Sequence, residues 1–342
     1  MKVLKWFVSD VIACGIVRGE LIARSINALY PNWHCDLKNM ILMSDFQRAN
    51  VMLFQRQHTR DNFDRMIYAK SRGIKTIFEI DDDLLNTPKE FEKPYEFYSQ
   101  TEVQDQIKAY MQHADAIITS TYPLACSIAP YCDKVPKFVV PNGIDTGTWE
   151  VGLNTKIYRG PGNETVTIGW MASGSHAYDA NLVSMALGRV MSDNPNVNIH
   201  MIGWVGFDQF PWAKQFKDRV KIDSWILYDD LPKNMANWDI GIAPLIDNPF
   251  NVSKSDVKVL QYWAAGIVPV VTPLAPYAKT IDDRQNGMFA NSEQEWYDRL
   301  TELVRNPALR RNMMVRGVND AKSRSMDKMA AHWVDVFDRI LR

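Results

Sequence analysis

Along the chain one pattern recurs: a short, nearly continuous apolar run, then a stretch whose apolar residues fall three and four apart. Runs of this length without polar alternation predict strands buried on both faces, as in a parallel sheet with helices on either side. In the first half, residues 3–8, 51–55, 76–80, 116–120 and 138–140 are predicted strands, and 19–29 and 62–72 predicted helices. The rhythm restarts in the second half. Strands are expected at 166–170, 198–202, 220–222, 240–244 and 268–272, with helices at 181–192, 255–265 and 293–304. Between the halves, Pro141-Asn-Gly-Ile-Asp145 punctuates the chain, and Tyr158-Arg-Gly-Pro-Gly-Asn163 reads as a polar linker without periodicity.

These elements predict an α/β protein of two doubly wound, Rossmann-like domains, residues 1–157 and 158–325, facing each other across a cleft. The tail, 326–342, carries Met329, Trp333, Val336, Phe337 and Ile340 at helical spacing and is expected to pack across the domain junction. Length agrees with two cores, since 342 residues exceed the ~100–200 of a usual domain.

Composition adds mainly exclusions. Thirty-nine basic and forty acidic side chains provide no overall positive field for nucleic acid or an anionic membrane. Cys14, Cys35, Cys126 and Cys132 form neither a CxxC pair nor a secreted disulfide framework, which points to reduced thiols and a cytoplasmic setting, the host cytoplasm for a phage-encoded chain. No run approaches the ~18 apolar residues of a membrane span, and Ser9 and Asp10 interrupt the apolar start too early for a signal peptide. The eleven tryptophans are read first as core filling and second as a stacking surface for sugars or lipid.

In doubly wound sheets ligands bind beyond the carboxyl ends of the strands, so the chemistry is sought in the loops that follow them. The first strand leads through Ser9-Asp-Val-Ile-Ala-Cys-Gly15 to Arg18, which suits either an anion near backbone amides or an ordinary turn with a surface charge. Gln55 and Arg56 end another strand. Glu79-Ile-Asp-Asp-Asp83 ends a third, and its carboxylates could hold a divalent metal, bind a substrate hydroxyl, or cap the next turn and pair with a cation. In the second half, Met171-Ala-Ser-Gly-Ser-His176 supplies Gly174 and Ser175 for close approach of a phosphate, and His176 for contact with a bound ligand.

The most informative stretch runs from Ala243 to Val271. A strand meets a polar loop with Asn251, then a helix start where Ser253 or Ser255 caps and Lys254 and Lys258, four apart, share one face. Serine, free amides and two lysines at a helix start make a diphosphate site. This stretch, Phe250-Asn-Val-Ser-Lys-Ser-Asp-Val-Lys258 running on to Ala264-Ala-Gly-Ile-Val-Pro-Val-Val271, resembles the donor-binding region of retaining GT-B glycosyltransferases of group 1, family 4-like, in their bacterial or phage-type branch. Glu79–Asp83, Pro141–Asp145, Gly169–His176, and Pro276-Tyr277 leading to Asn286-Gly287 extend the resemblance over most of the chain.

The resemblance implies the GT-B fold, transfer of a hexosyl or pentosyl group from a UDP- or GDP-sugar co-substrate to a glycan or other hydroxyl acceptor, and retention of configuration. It implies donor contacts from Gly15, Gly174, Ser175, His176, Asn251, Lys254, Ser255, Lys258 and Gln261, the last at the ribose. Arg18, Gln55, Arg56 and Asp83 are expected to bind the acceptor, and Asp81, Asp82, His176 and Lys258 to serve catalysis, lysines and amides stabilising the leaving diphosphate without a fixed metal. The sequence departs from the larger family in one acidic pair: Gln261 stands where a glutamate is usual, and Ser253 where its partner carboxylate is. An Arg and Lys pair usual after the glycine loop is also not evident after Gly203. Two rivals remain: transfer to hydroxymethylated bases of phage DNA, using Arg48, Arg56, Arg60, Arg65, Lys70 and Arg72, and a non-catalytic sugar-nucleotide or glycan-binding protein.

Overall fold

The computed structural model describes residues 1–9, 14–158, 165–172, 176, 178–203 and 210–342, with backbone alone for 154–158. The first six strands are β1 (Lys2–Val8), β2 (Trp33–Lys38), β3 (Val51–Gln55), β4 (Lys75–Ile80), β5 (Ala116–Thr119) and β6 (Lys137–Val139). The second six are β7 (Val166–Ala172), β8 (Val197–Gly203), β9 (Val220–Asp223), β10 (Ile240–Ala243), β11 (Val268–Val271) and β12 (Met288–Phe289). They form two parallel sheets, ordered β2-β1-β3-β4-β5-β6 and β12-β11-β10-β7-β8-β9. The strand order reverses between β1 and β3 in the first sheet and between β7 and β10 in the second. At such a point successive connections leave to opposite faces, and a crevice opens beyond the strand ends. The fold thereby gathers the chain after β1, β3 and β4 at one crevice, and the chain after β7 and β10 at the other.

Burial explains why the strands were legible. Every residue of β3, β5, β10 and β11 is buried, so these strands have no polar face to alternate with. The two strands not predicted are both edges: β2, whose pattern is mixed, and the two-residue β12. Helices Thr101–His113 and Pro307–Ser323 were also not predicted. The first buries Val103, Ile107, Tyr110 and Met111, a clear helical stripe, whereas the second buries only Met313, Gly317 and Ala321. Gly317 is close-packed: a Cβ there would lie 2.3 Å from the Trp263 ring. Tryptophan is core material here, with Trp6, Trp149, Trp170, Trp238, Trp296 and Trp333 almost wholly buried.

The two halves are stitched by helices that cross over. Helix Thr146–Tyr158 packs toward the second sheet, with the Trp149 indole donating to the Tyr228 hydroxyl at 3.2 Å. Helix Met326–Ile340 returns to the first sheet. There Trp333 lies 4.8 Å from Trp6 and Phe337 lies 5.5 Å from Trp33, between ring centroids, while Asp338 pairs with Lys2. The four cysteines are free, and among the described residues no helix is long and apolar enough to cross a membrane.

Candidate functional site

The crevice of the second sheet is organised by Asp179, a residue the sequence did not single out although it stands three positions after His176. One carboxylate oxygen lies 2.7 Å from His176 Nδ1. The other accepts from the Ile246 amide at 2.8 Å and from the Asn251 side chain at 3.3 Å. Asp179 therefore fastens the loop after β7 to the loop after β10. Burial pushes its carboxyl up to about 6, against the Ile246 amide and the charges of Lys258 and Lys254. Asn248 begins the next element by accepting from the Asn251 amide, the usual way a side chain satisfies an orphan donor at a helix start.

Lys254 and Lys258 follow. The Lys254 ammonium sits 4.7 Å from the centroid of the Phe250 ring, and Lys258 is in the first turn of helix Val257–Ala264. Among the described residues no carboxylate lies within ion-pairing distance of either ammonium. Burial, then repulsion from Lys254, brings Lys258 from 10.5 down to about 7, with Asp179 opposing. Burial also pushes His176 well below its ordinary value, helped by Lys258 and Lys254. The imidazole is thus neutral at neutral pH, and its geometry assigns the proton to Nδ1, facing Asp179, which leaves Nε2 as an acceptor. Two ammonium groups with no carboxylate partner among the described residues, beside a neutral imidazole at a helix start, are an arrangement that an anion would complement. Gly174 and Ser175, predicted to line it, lie outside the described residues, as do residues 204–209 after Gly203.

The rest of this segment is tied to the first half. Ser255 Oγ accepts from the Asn142 side chain at 2.8 Å, and the Ser253 carbonyl accepts from Thr121 Oγ1 at 2.7 Å. Asp256 receives Arg324 at 3.2 Å on each oxygen, and Arg324 also donates to the Asn142 carbonyl. Gln261, assigned to the ribose by resemblance, is buried and hydrogen-bonded with the Tyr228 hydroxyl. Phe91 and Phe250 meet edge to face at 5.3 Å, joining the two halves beside the lysines.

At the first-sheet crevice the predicted residues are engaged mostly by one another. Gly15 is buried in a helical turn. Arg18 is 2% exposed, with Nε 2.7 Å from Glu79 and Nη1 donating to the Val140 carbonyl and Asn142, its guanidinium 4.9 Å from the Trp333 ring centroid. It is a buried cross-brace, not the surface charge of the simpler expectation. Burial pushes Glu79 up to about 7 despite Arg18. Gln55 accepts from the Trp6 indole at 2.9 Å and donates to the Cys14 carbonyl. Asp83 accepts from the Ser127 hydroxyl and the Asn86 side-chain amide, and its carboxylate makes no capping bond to the turn that follows.

Asp81 and Asp82 share Arg56, whose Nη1 lies 3.3 and 3.4 Å from them and 2.9 Å from Cys14 Sγ. Cys14, Asp81 and Asp82 place their ligand atoms within 4.8 Å of one another, but the Arg56 guanidinium already supplies a cation among them. Arg56 adopts φ 51°, a left-handed backbone that turns the chain sharply at the end of β3. Asp82 is the more accessible of the two carboxylates.

Residues 165–306 match the family described as Glycosyl transferases group 1, the stretch that contains the lysine pair and His176. A search of curated proteins finds no match. Among solved structures, the chain is similar to HepE of Anabaena in complex with UDP-glucose, at 12% identity, TM-score 0.69, over 99% of this chain and 100% of the other. Sucrose-phosphate synthase from Thermosynechococcus elongatus matches at 10% identity, TM-score 0.68 and 99% of each chain. WaaG, a glycosyltransferase involved in lipopolysaccharide biosynthesis, matches at 13% identity, TM-score 0.62, over 98% of this chain and 99% of the other. At such identities the likeness establishes the fold, two Rossmann-like domains in the GT-B arrangement.

Proposed function

We propose that this protein transfers a glycosyl group from a nucleotide diphosphate sugar to an acceptor hydroxyl. The reading rests chiefly on the ammonium groups of Lys254 and Lys258 at the switch point of the second sheet, which have no carboxylate partner among the described residues. The match over residues 165–306 supports it, as does the UDP-glucose held by the similar HepE structure. The donor diphosphate binds between the lysines, which balance the charge that grows on it as the glycosidic bond breaks. Neutral His176 presents Nε2 to a donor or sugar hydroxyl, and Asp179 holds its ring in place. Transfer with retention, and division of the chain into acceptor domain 1–157, donor domain 158–325 and bridging helix, belong to the same proposal.

The absence of carboxylates at Ser253 and Gln261 favours one second reading, a non-catalytic sugar-nucleotide binder. Transfer to DNA is weakened by the first-half cations. Arg56 is enclosed by Asp81 and Asp82, Arg60 pairs with Asp64, and Lys70 pairs with Asp115, so half of the six cations named for that reading already face a carboxylate. A thermal-shift screen against UDP-, GDP-, ADP- and dTDP-sugars tests donor binding, since a ligand at ~100 times its dissociation constant stabilises by ~2.7 kcal/mol. Release of nucleoside diphosphate then separates enzyme from binder. Absence of any nucleotide effect, or a Lys258→Ala variant with unaltered binding and turnover, would overturn the donor-site assignment.

A further inference from the structure

Arg18, Gln55 and Asp83, the acceptor contacts expected from sequence, are buried and bonded to protein groups, so the acceptor needs another seat. A cavity of about 490 Å³ lies one connection further along, lined by Asn86, Thr87, Tyr95, Tyr98 and Gln104 from the chain after β4 and by Pro249 from the second half. Its position is suited to transfer. Pro249 opens the short helix that carries Asn251 and ends at Lys254, so one five-residue helix separates the cavity wall from the proposed diphosphate site. On the other side Tyr98 packs with Phe97 at 5.0 Å and with His58 at 6.5 Å, two residues from Arg56 of the carboxylate cluster.

We propose that this cavity is the acceptor site, and that the acceptor is the pyranose end of a glycan; the inference rests on the glycosyltransferase reading of the lysine site. The lining has the chemistry a pyranose needs. The tyrosine rings offer apolar faces to the C–H side of the sugar, while side-chain amides and hydroxyls from Asn86, Thr87 and Gln104 address its hydroxyl groups. The volume falls within the ~300–1,000 Å³ of small-ligand sites. Lys89 also lines the cavity, but Glu90, Glu92 and Glu96 outnumber it and Lys93 in the same segment, so the charge there gives a phosphate backbone little net attraction.

The test uses the full chain and direct binding, so that it does not depend on turnover. Saturation-transfer NMR with methyl glucopyranoside, methyl mannopyranoside and methyl galactopyranoside is compared with calorimetry of UDP, for the parent protein and for Tyr95→Ala and Tyr95→Phe. At least one glycoside is expected to bind. Tyr95→Ala weakens it about tenfold, the worth of one lost stacking face, Tyr95→Phe keeps it, and UDP binding is unchanged in both. Intact UDP binding also shows that the variants are folded. No glycoside binding to the parent protein, or equal binding to Tyr95→Ala, overturns the proposal, as does displacement of a bound glycoside by a short DNA duplex. Failure of the donor reading has a different signature: no binding of UDP, GDP, ADP or dTDP by the parent protein while the glycoside signals persist.

Discussion

The proposed seat of the donor diphosphate on Lys258 makes donor binding measurable as a proton equilibrium. Burial and the neighbouring Lys254 hold its ammonium down to about 7, so about half of the free molecules are charged there at pH 7. A bound diphosphate supplies the missing counter-charge and raises the group back toward its ordinary ~10.4. Affinity is therefore full below the free-state value and falls as pH rises above it, about tenfold per unit, until the bound-state value is reached. Between pH 6.5 and 8.5 the dissociation constant of UDP should rise roughly 25-fold, or about 2 kcal/mol. The other groups facing the site have mostly titrated below this window: Asp179 near 6, His176 well below its ordinary value, and the phosphate itself near ~6. Calorimetry in two buffers of different ionisation enthalpy counts the protons directly. Uptake should grow from about a quarter of a proton at pH 6.5 to nearly one at pH 8.5. Lys258→Met should bind more weakly at pH 6.5 and lose the slope above it. A flat affinity for the parent protein, or the same slope in Lys258→Met, would refute the placement of the diphosphate on this lysine.

Arg18→Met leaves Glu79, 0% exposed, without its counter-charge, and should cost about 3–5 kcal/mol in urea denaturation at pH 8. Because Glu79 is held above its unfolded value, its stabilising protonation is lost as pH rises through about 7, and the deficit of the variant grows above that pH; a loss under about 1 kcal/mol would show that Arg18 is not its main support. Gly169→Ala places a Cβ 1.8 Å from the Trp238 ring, which is fully buried and donates to His200 at 2.8 Å. It should exceed the usual overpacking cost of ~1–3 kcal/mol and lower Tm accordingly, whereas an unchanged Tm would mean that Trp238 can withdraw. His176→Asn should lower kcat about 100-fold with UDP affinity little changed; equal losses in both would make His176 a donor-binding group, and no loss in kcat would remove it from the mechanism.

What could be read from the chain was whatever its physics keeps local. Strands such as Val51–Gln55 and Val268–Val271 are continuous apolar runs because both faces are covered, and helix Met326–Ile340 shows its buried stripe in its own spacing. The lysine pair proposed for the diphosphate stands out for the same reason, since strand, cap and helix start fall within a short segment. Reading stopped where pattern weakened or went unused, as at the edge strand Trp33–Lys38 and the helix Thr101–His113.

Charge was another matter. Arg18, Gln55, Asp83 and Gln261 are ordinary polar residues in sequence, and each fits a ligand. Folding sealed them against partners far away: Arg18 meets Glu79 across 61 positions and Asn142 across 124, and Gln55 meets Trp6 across 49. The same folding left Lys254 and Lys258 without a carboxylate among the described residues and gathered Tyr95, Tyr98 and Pro249 around an open volume. The sequence alone determined the two parallel sheets and the lysine-bearing helix start, because hydrophobic periodicity and capping act within a few residues. Tertiary structure decided which polar groups are braces and which are free to bind, because that depends on burial and on neighbouring charges that local sequence does not specify.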